Sequence, residues 1–172
     1  MILRLSEKLR TKIKTGATST LPMDENPLAD WSASLFVADR TQYILLSNTA
    51  SLYSTVFYAK GTTSNDGQFI TFAMNHLQEF MEADGMLDVY LTHIAPSTAH
   101  VQFGKAYSRA VTGTINELIL VAKNSLVLDD ISPTDIGSGL NDLLFSAIAA
   151  TPAEKYGKPK EAFKALVRER FK

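Results

Sequence analysis

Three histidines, His76, His93 and His100, are the side chains of this 172-residue chain whose ordinary pKa lies near neutrality. Each has the chemistry of a general base, which needs only hydrogen-bond reach of its substrate. His76 stands three residues before Glu79, an H-x-x-E spacing that lacks the second histidine of a zinc-peptidase helix. His93 and His100 flank Pro96 and match no zinc-ligand spacing, so no metal is expected. With no cysteine in the chain, disulfides, thiolate metal sites and cysteine nucleophiles drop out together.

Other motifs fail on single positions. The Gly-Lys pair in "GKAYS", residues 104–108, has Ala99 where a phosphate loop needs its first glycine, and Ala106 where it needs Ser or Thr. No G-x-S-x-G elbow occurs, and no cofactor signature is present. The stretch "YSRAVTGTINELI", residues 107–119, is more informative. Thr114 and Glu117 form a T-x-x-E capping box, Gly113 permits a tight turn before it, and Arg109 and Asn116 lie close by. A helix start of this kind caps itself, or holds an anion on its free N–H groups with help from Arg109.

Charge is unevenly spread. Arg4, Lys8, Arg10, Lys12 and Lys14 face only Glu7 at one end, for a net +4. Seven basic residues from Lys155 to Lys172 face Glu154, Glu161 and Glu169 at the other, again +4, so residues 15–153 hold −9 within a total of −1. Two solvated helix faces account for such ends, and so does an anionic partner. If the two end helices lay side by side, Lys160, Lys164 and Arg168 would offer a weak contact to nucleic acid or an acidic partner. Phe163 and Phe171 have packing rather than stacking periodicity, so single-strand stacking is not expected.

The elements that must position these residues begin with "ILRL", a short strand, and a basic helix capped by Ser6 and stopped near Gly16. Residues 15–30 read as a loop. From Trp31 the period becomes two, and three runs ("WSASLFVA", "YILLSN", "SLYSTVFYA") on short connections indicate an antiparallel meander. Asn65 or Asp66 caps a helix to about residue 84, with Phe69, Ala73, Leu77 and Phe80 on one stripe and Gly85 as its C′ glycine. Residues 86–94 carry both strand and helix periodicities. A strand at "AHVQFGKA", a helix after Thr114, one through "GSGLNDLLFSAIAA" and a basic helix at about 159–171 complete the chain.

Taken together, "LRLSEKL", "PLADWSASLFVADR", "ILLSNTASLYSTVF" and "SRAVTGTINEL" resemble an uncharacterised bacterial domain-of-unknown-function family, some of whose members occur with a plasmid ORF-three-like domain. The resemblance spans most of residues 1–130. It implies correspondence at Trp31, Asn48, Arg109, Gly113, Thr114, Asn116 and Glu117, with Ile115 standing where methionine is more usual. It implies a common fold and no activity.

The expected architecture is α+β: one domain over residues 1–172, with an antiparallel sheet of four or five strands packed against helices. No apolar signal core follows the N-terminal charges, and apolar runs such as "LLFSAIAA" fall short of the ~20 residues of a membrane span, so a cytoplasmic setting without membrane contact is expected. Two functions remain open. One is a non-catalytic binding or accessory protein, in a mobile-element or defence context, with Asn48, Arg109, Asn116 and Glu117 as binding residues. The other is a small hydrolase or nuclease-like toxin working through the histidines with Glu117 and Arg109.

Overall fold

A computed structural model describes residues 1–149 and 155–170 of the chain. Its centre is a five-stranded sheet in the order β4-β3-β2-β1-β5, formed by β1 (Ile2–Leu5), β2 (Asp30–Ala38), β3 (Thr41–Asn48), β4 (Ser54–Tyr58) and β5 (Gln102–Gly104). The expected meander is β2-β3-β4, all antiparallel. The sheet as a whole is mixed, because β1 runs parallel to both β2 and β5. Parallel neighbours need a crossover connection, and helix α1 (Glu7–Lys12) with the 15–30 segment supplies it between β1 and β2.

Alternation along β2 and β3 sends Trp31, Ala33, Ile44 and Leu46 to one face, and Phe36, Ala38, Tyr43 and Leu45 to the other. Helices bury both. The first face packs against α1, α2 (Asp66–Ala83) and α6 (Pro159–Arg170), through Leu9, Leu77, Phe80 and Phe163. The second packs against α4 (Arg109–Leu128) and α5 (Pro133–Leu140), through Ile115, Leu118, Ile136 and Leu140. The molecule is thus an α+β domain in three layers.

Local chemistry sets the boundaries. Ser6 Oγ accepts from the Leu9 N–H to start α1, and Lys14, with φ 59°, takes the left-handed position that ends it two residues ahead of Gly16. Asp39 and Arg40 (φ 42° and 64°) make the two-residue turn between β2 and β3, the twist that such hairpins need. Asn65 caps α2, and at its far end Gly85 (φ 73°) lets Met86 N–H reach Met81 C=O at 2.7 Å.

The ambiguous 86–94 segment is helical: a short α3 (Leu87–Val89) runs into a π-turn, Tyr90–Ile94. Met86, Tyr90 and Ile94 are buried while Leu91 is exposed, so the helical period decided the outcome.

Two helix starts differ from expectation. Helix α4 begins at Arg109, with Ser108 Oγ accepting from Val111 N–H at 3.2 Å. Gly113 and Thr114 lie inside the helix, and Thr114 Oγ donates back to Ala110 C=O instead of capping. The T-x-x-E box is therefore not used, because a serine one turn earlier caps first. Helix α5 starts at Ser132-Pro133 and stops at Leu140, before the "LLFSAIAA" run is reached. There Asn141 turns its amide onto the β4 edge, accepting from Ser54 N–H at 2.7 Å and donating to Ser54 C=O at 2.9 Å. Phe145 then bridges Gly157, and Ser146–Ile148 form a 3₁₀ turn. The C-terminal helix lies where expected through Arg170; Glu154, Phe171 and Lys172 fall outside the described residues.

Candidate functional site: a basic groove beside the parallel strands

Arg4, a charge inside the apolar run Ile-Leu-Arg-Leu, is 2% exposed and lies on Asp30 at the start of β2, which is fully buried. Arg4 Nε donates to Asp30 Oδ1 at 2.8 Å and Nη2 to Oδ2 at 2.7 Å. The remaining guanidinium donors go to the carbonyls of Leu21, Pro22 and Lys105. Asp30 Oδ2 also accepts from Asp24 N–H at 3.0 Å. All five donors of the fork are thereby used, and the 15–30 segment is tied down over the end of the sheet. This pair organises; it has no donor left for a ligand.

Beyond it, at the carboxyl ends of the parallel strands, space opens. A cavity of about 110 Å³ is lined by Arg4, Ser6, Ser32, Ser34, Tyr107 and Asn116. It adjoins a groove of about 870 Å³ between α1, β2 and α4, lined among others by Lys8, Lys12, Ser34, Gln42, Asn116 and Lys123. Lys12 and Gln42 continue into a further cavity of about 500 Å³ with Arg40 and Lys60. Open α/β sheets place ligands outside the carboxyl ends of their parallel strands, where neighbouring connections diverge. Here β1 is flanked by parallel partners on both sides, which creates that divergence.

The electrostatics of the groove are one-sided. Lys8 and Lys12 stand four residues apart on one face of α1, Lys123 opposes them from α4, and Arg40 and Lys60 extend the strip. The carboxylate lining the groove, Glu7, is hydrogen-bonded to Arg10, which holds its pKa below the usual carboxylate range. The strip therefore keeps a net positive field.

The residues singled out in the sequence are dispersed. Arg109 and Asn116 share a shallow cavity of about 470 Å³ with Ser108, Thr112 and Gly113, while Glu117 lines none of these cavities. Asn48 is fully buried: its Nδ2 donates to the carbonyls of Pro27 and Asp30, and its Oδ1 accepts from the Ser51 N–H and hydroxyl. That amide stitches the β3–β4 connection to the start of β2. Trp31 is core, its Nε1 donating to Leu28 C=O at 2.9 Å.

The histidines stand apart from the groove. His76 packs on the Phe57 ring and lies 2.9 Å from Thr55 Oγ1, and burial lowers its pKa, with Glu79 opposing that shift. His93 sits in the π-turn, and His100 is exposed ahead of β5. Among the described residues no cluster of His, Asp and Glu has the arrangement of a metal site.

The basic C-terminal helix is largely neutralised. Lys160 Nζ reaches Asp84 at 2.8 Å, and Asp84 also accepts from Tyr53 OH at 2.8 Å; Lys164 pairs with Glu161 at 3.2 Å and Lys158 with Asp142 at 3.8 Å. Lys160 holds α6 against the end of α2 and the β3–β4 turn. Arg168 is exposed at the far end of α6.

Residues 2–162 match the family model of a domain of unknown function, DUF6933. The chain belongs to this family. No curated protein matches it. The family match covers nearly all of the sheet and its helices, α6 included as far as Ala162, and so agrees with the resemblance carried by the β1–β4 and α4 motifs.

The groove lysines were the residues that motif reading passed over. For Lys8 and Lys12 the signal was present as a charge excess at the N-terminus, but it lacked an address until α1 folded against β2 and faced α4; Lys123 and Lys60 lie in the net-acidic stretch and gave none.

Proposed function

We propose that this DUF6933 protein is a non-catalytic binding protein whose α1–β2–α4 groove receives the phosphate backbone of a nucleic acid. The observation that carries this reading is the convergence of Lys8, Lys12 and Lys123 on one open groove, continued by Arg40 and Lys60, with Glu7 already engaged by Arg10. Lysines act on phosphate as point charges, and a groove without stacking aromatics reads the backbone rather than the bases. Phe36 lines the groove but is 4% exposed, which leaves it no face to offer a base. The setting proposed with this reading is the cytoplasm, and the motif resemblance motivates a bacterial context on mobile elements or beside defence genes.

The test is fluorescence anisotropy with labelled single-stranded DNA and RNA oligonucleotides, using the full chain and two charge-reversed variants. Lys12→Glu with Lys123→Glu should abolish binding at low salt. Lys160→Glu with Lys164→Glu, two lysines already paired with Asp84 and Glu161, should leave most of it. The reverse ranking would move the contact to α6. Cleavage of the oligonucleotide during the titration would replace the binding reading with the nuclease one.

A further inference from the structure

Helix α4 turns one face to the core through Thr114, Ile115, Leu118 and Ala122, and a second face to the groove through Asn116, Ile119 and Lys123. Its third face is bare, with exposed apolar side chains flanking Gly113, Glu117 and Asn124. Leu120 (60% exposed), Val121, Val127 (53%) and Leu128 (77%) all lie open to solvent, with Ile131 just beyond. Single exposed apolar residues are ordinary, but several on two turns of one helix form a patch that marks an interaction surface.

We propose that this face docks a second copy of the chain, α4 against α4, antiparallel about a two-fold axis passing between Leu120 and Val121. Around such an axis each residue meets the one whose number completes a fixed sum, and the pattern is self-complementary. Leu120 meets Val121. Glu117 meets Asn124, so a carboxylate accepts from an amide, and both are exposed in the single chain. Gly113, open in front of its Cα, meets Leu128, the most exposed of the four. At the ends, Arg109 of each copy comes beside the Asp129–Asp130 pair of the other.

A parallel pairing gives the opposite result: Glu117 on Glu117, and the aspartates on the aspartates. The contacting set 113, 117, 120 with 121, 124 and 128 maps onto itself about that axis at spacings of three and four, the periods that keep one helix face on its partner, and one asparagine within such a seam fixes register. The helix also has the length and mean hydropathy, 1.2, of a membrane span. Its core-packed face holds it on the sheet, which favours lateral pairing over insertion.

Sedimentation equilibrium of the full chain from about 1 to about 300 µM tests the pairing through mass action. The mass should rise from 18.9 kDa toward twice that value, and Leu120→Lys should stay monomeric with an unchanged circular dichroism spectrum and, at the low concentrations where wild type is monomeric, an unchanged melting temperature. Because the chain has no cysteine, introduced thiols report orientation cleanly. Leu120→Cys should link to its counterpart through a short bismaleimide. Val127→Cys should not, since antiparallel partners hold those positions about 20 Å apart along the axis at 1.5 Å per residue. A monomer throughout, a Leu120→Lys dimer, or equal linking at both sites would overturn the proposal. So would a monomer that co-sediments with phosphatidylcholine–phosphatidylglycerol vesicles, which would assign the face to lipid.

Discussion

The Arg4 guanidinium and the Asp30 carboxylate meet through two parallel bonds, Nε–Oδ1 at 2.8 Å and Nη2–Oδ2 at 2.7 Å, with both side chains out of contact with water. They join neighbouring parallel strands, and through Leu21, Pro22 and Lys105 they anchor the two segments that frame the crevice. Removing one partner strands a buried charge, which costs about 3–5 kcal/mol. Asp30→Asn and Arg4→Met should each lower urea stability by that order. The double variant should be less destabilised than the sum of the two, yet below wild type, because three carbonyls lose their donor. Full additivity in the double-mutant cycle would show that the two groups do not act as a pair.

Helix α4 provides a test of where its first turn lies. Ser108→Ala removes the cap and should cost about 1 kcal/mol. Gly113→Ala should raise stability by about 0.5–1 kcal/mol at protein concentrations low enough to keep the chain monomeric, since an alanine there meets no atom within 4 Å and gains helix propensity. A turn at Gly113 would make the same substitution destabilising. Urea unfolding of both variants separates the two outcomes.

The β2–β3 hairpin holds Arg40 at φ 64°, a conformation that costs a side-chain-bearing residue roughly 1–2 kcal/mol. Arg40→Gly should recover part of this, raising stability by about 0.5–1 kcal/mol after the added freedom of the unfolded chain. A fall in stability would mean that the Arg40 side chain contributes more than its backbone strain costs.

His76 gives the protein a defined response to acid. Its folded pKa lies below the ordinary 6.5 because burial against Phe57 disfavours the charged ring. The unfolded chain therefore binds the proton more readily. This contribution to stability is complete above about pH 6.5 and is lost as pH falls toward and through the folded pKa. His76→Gln keeps a polar partner for Thr55 and does not titrate, so the stability difference between pH 7 and pH 5 should shrink in that variant. An identical difference in variant and wild type would exclude His76 as the source.

Legibility in the sequence followed the range of the signal. Ser6, Asn65 and Gly85 act within a turn or two of themselves, and each marks the boundary expected of it. The alternation from Trp31 to Phe57 gave the meander for the same reason. The parallel placement of β1 was not legible, because strand order depends on contacts across the chain. Arg4 and Asp30 are 26 residues apart and meet only when β1 docks beside β2. In α4, two serine or threonine starts competed; the one with the fuller local signature lost, since hydroxyl caps at Ser108 and Thr114 look alike until packing selects the longer helix. The groove was invisible for a related reason: its lysines come from α1 and α4, about 110 residues apart in a chain whose local patterns extend a turn or two.

The central claim is that the groove of Lys8, Lys12, Lys123, Arg40 and Lys60 binds phosphate backbone, and its salt dependence is the most direct measurement. Single-stranded binding that neutralises Z phosphates gives a slope of about −0.7Z in log K against log salt, so four or five contacts predict a slope of roughly −3 to −3.5. Lys12→Gln and Lys123→Gln should each flatten that slope by about 0.7, while Lys164→Gln leaves it unchanged. Affinity indifferent to salt, or a slope that responds to Lys164 and not to Lys12 and Lys123, would contradict the account.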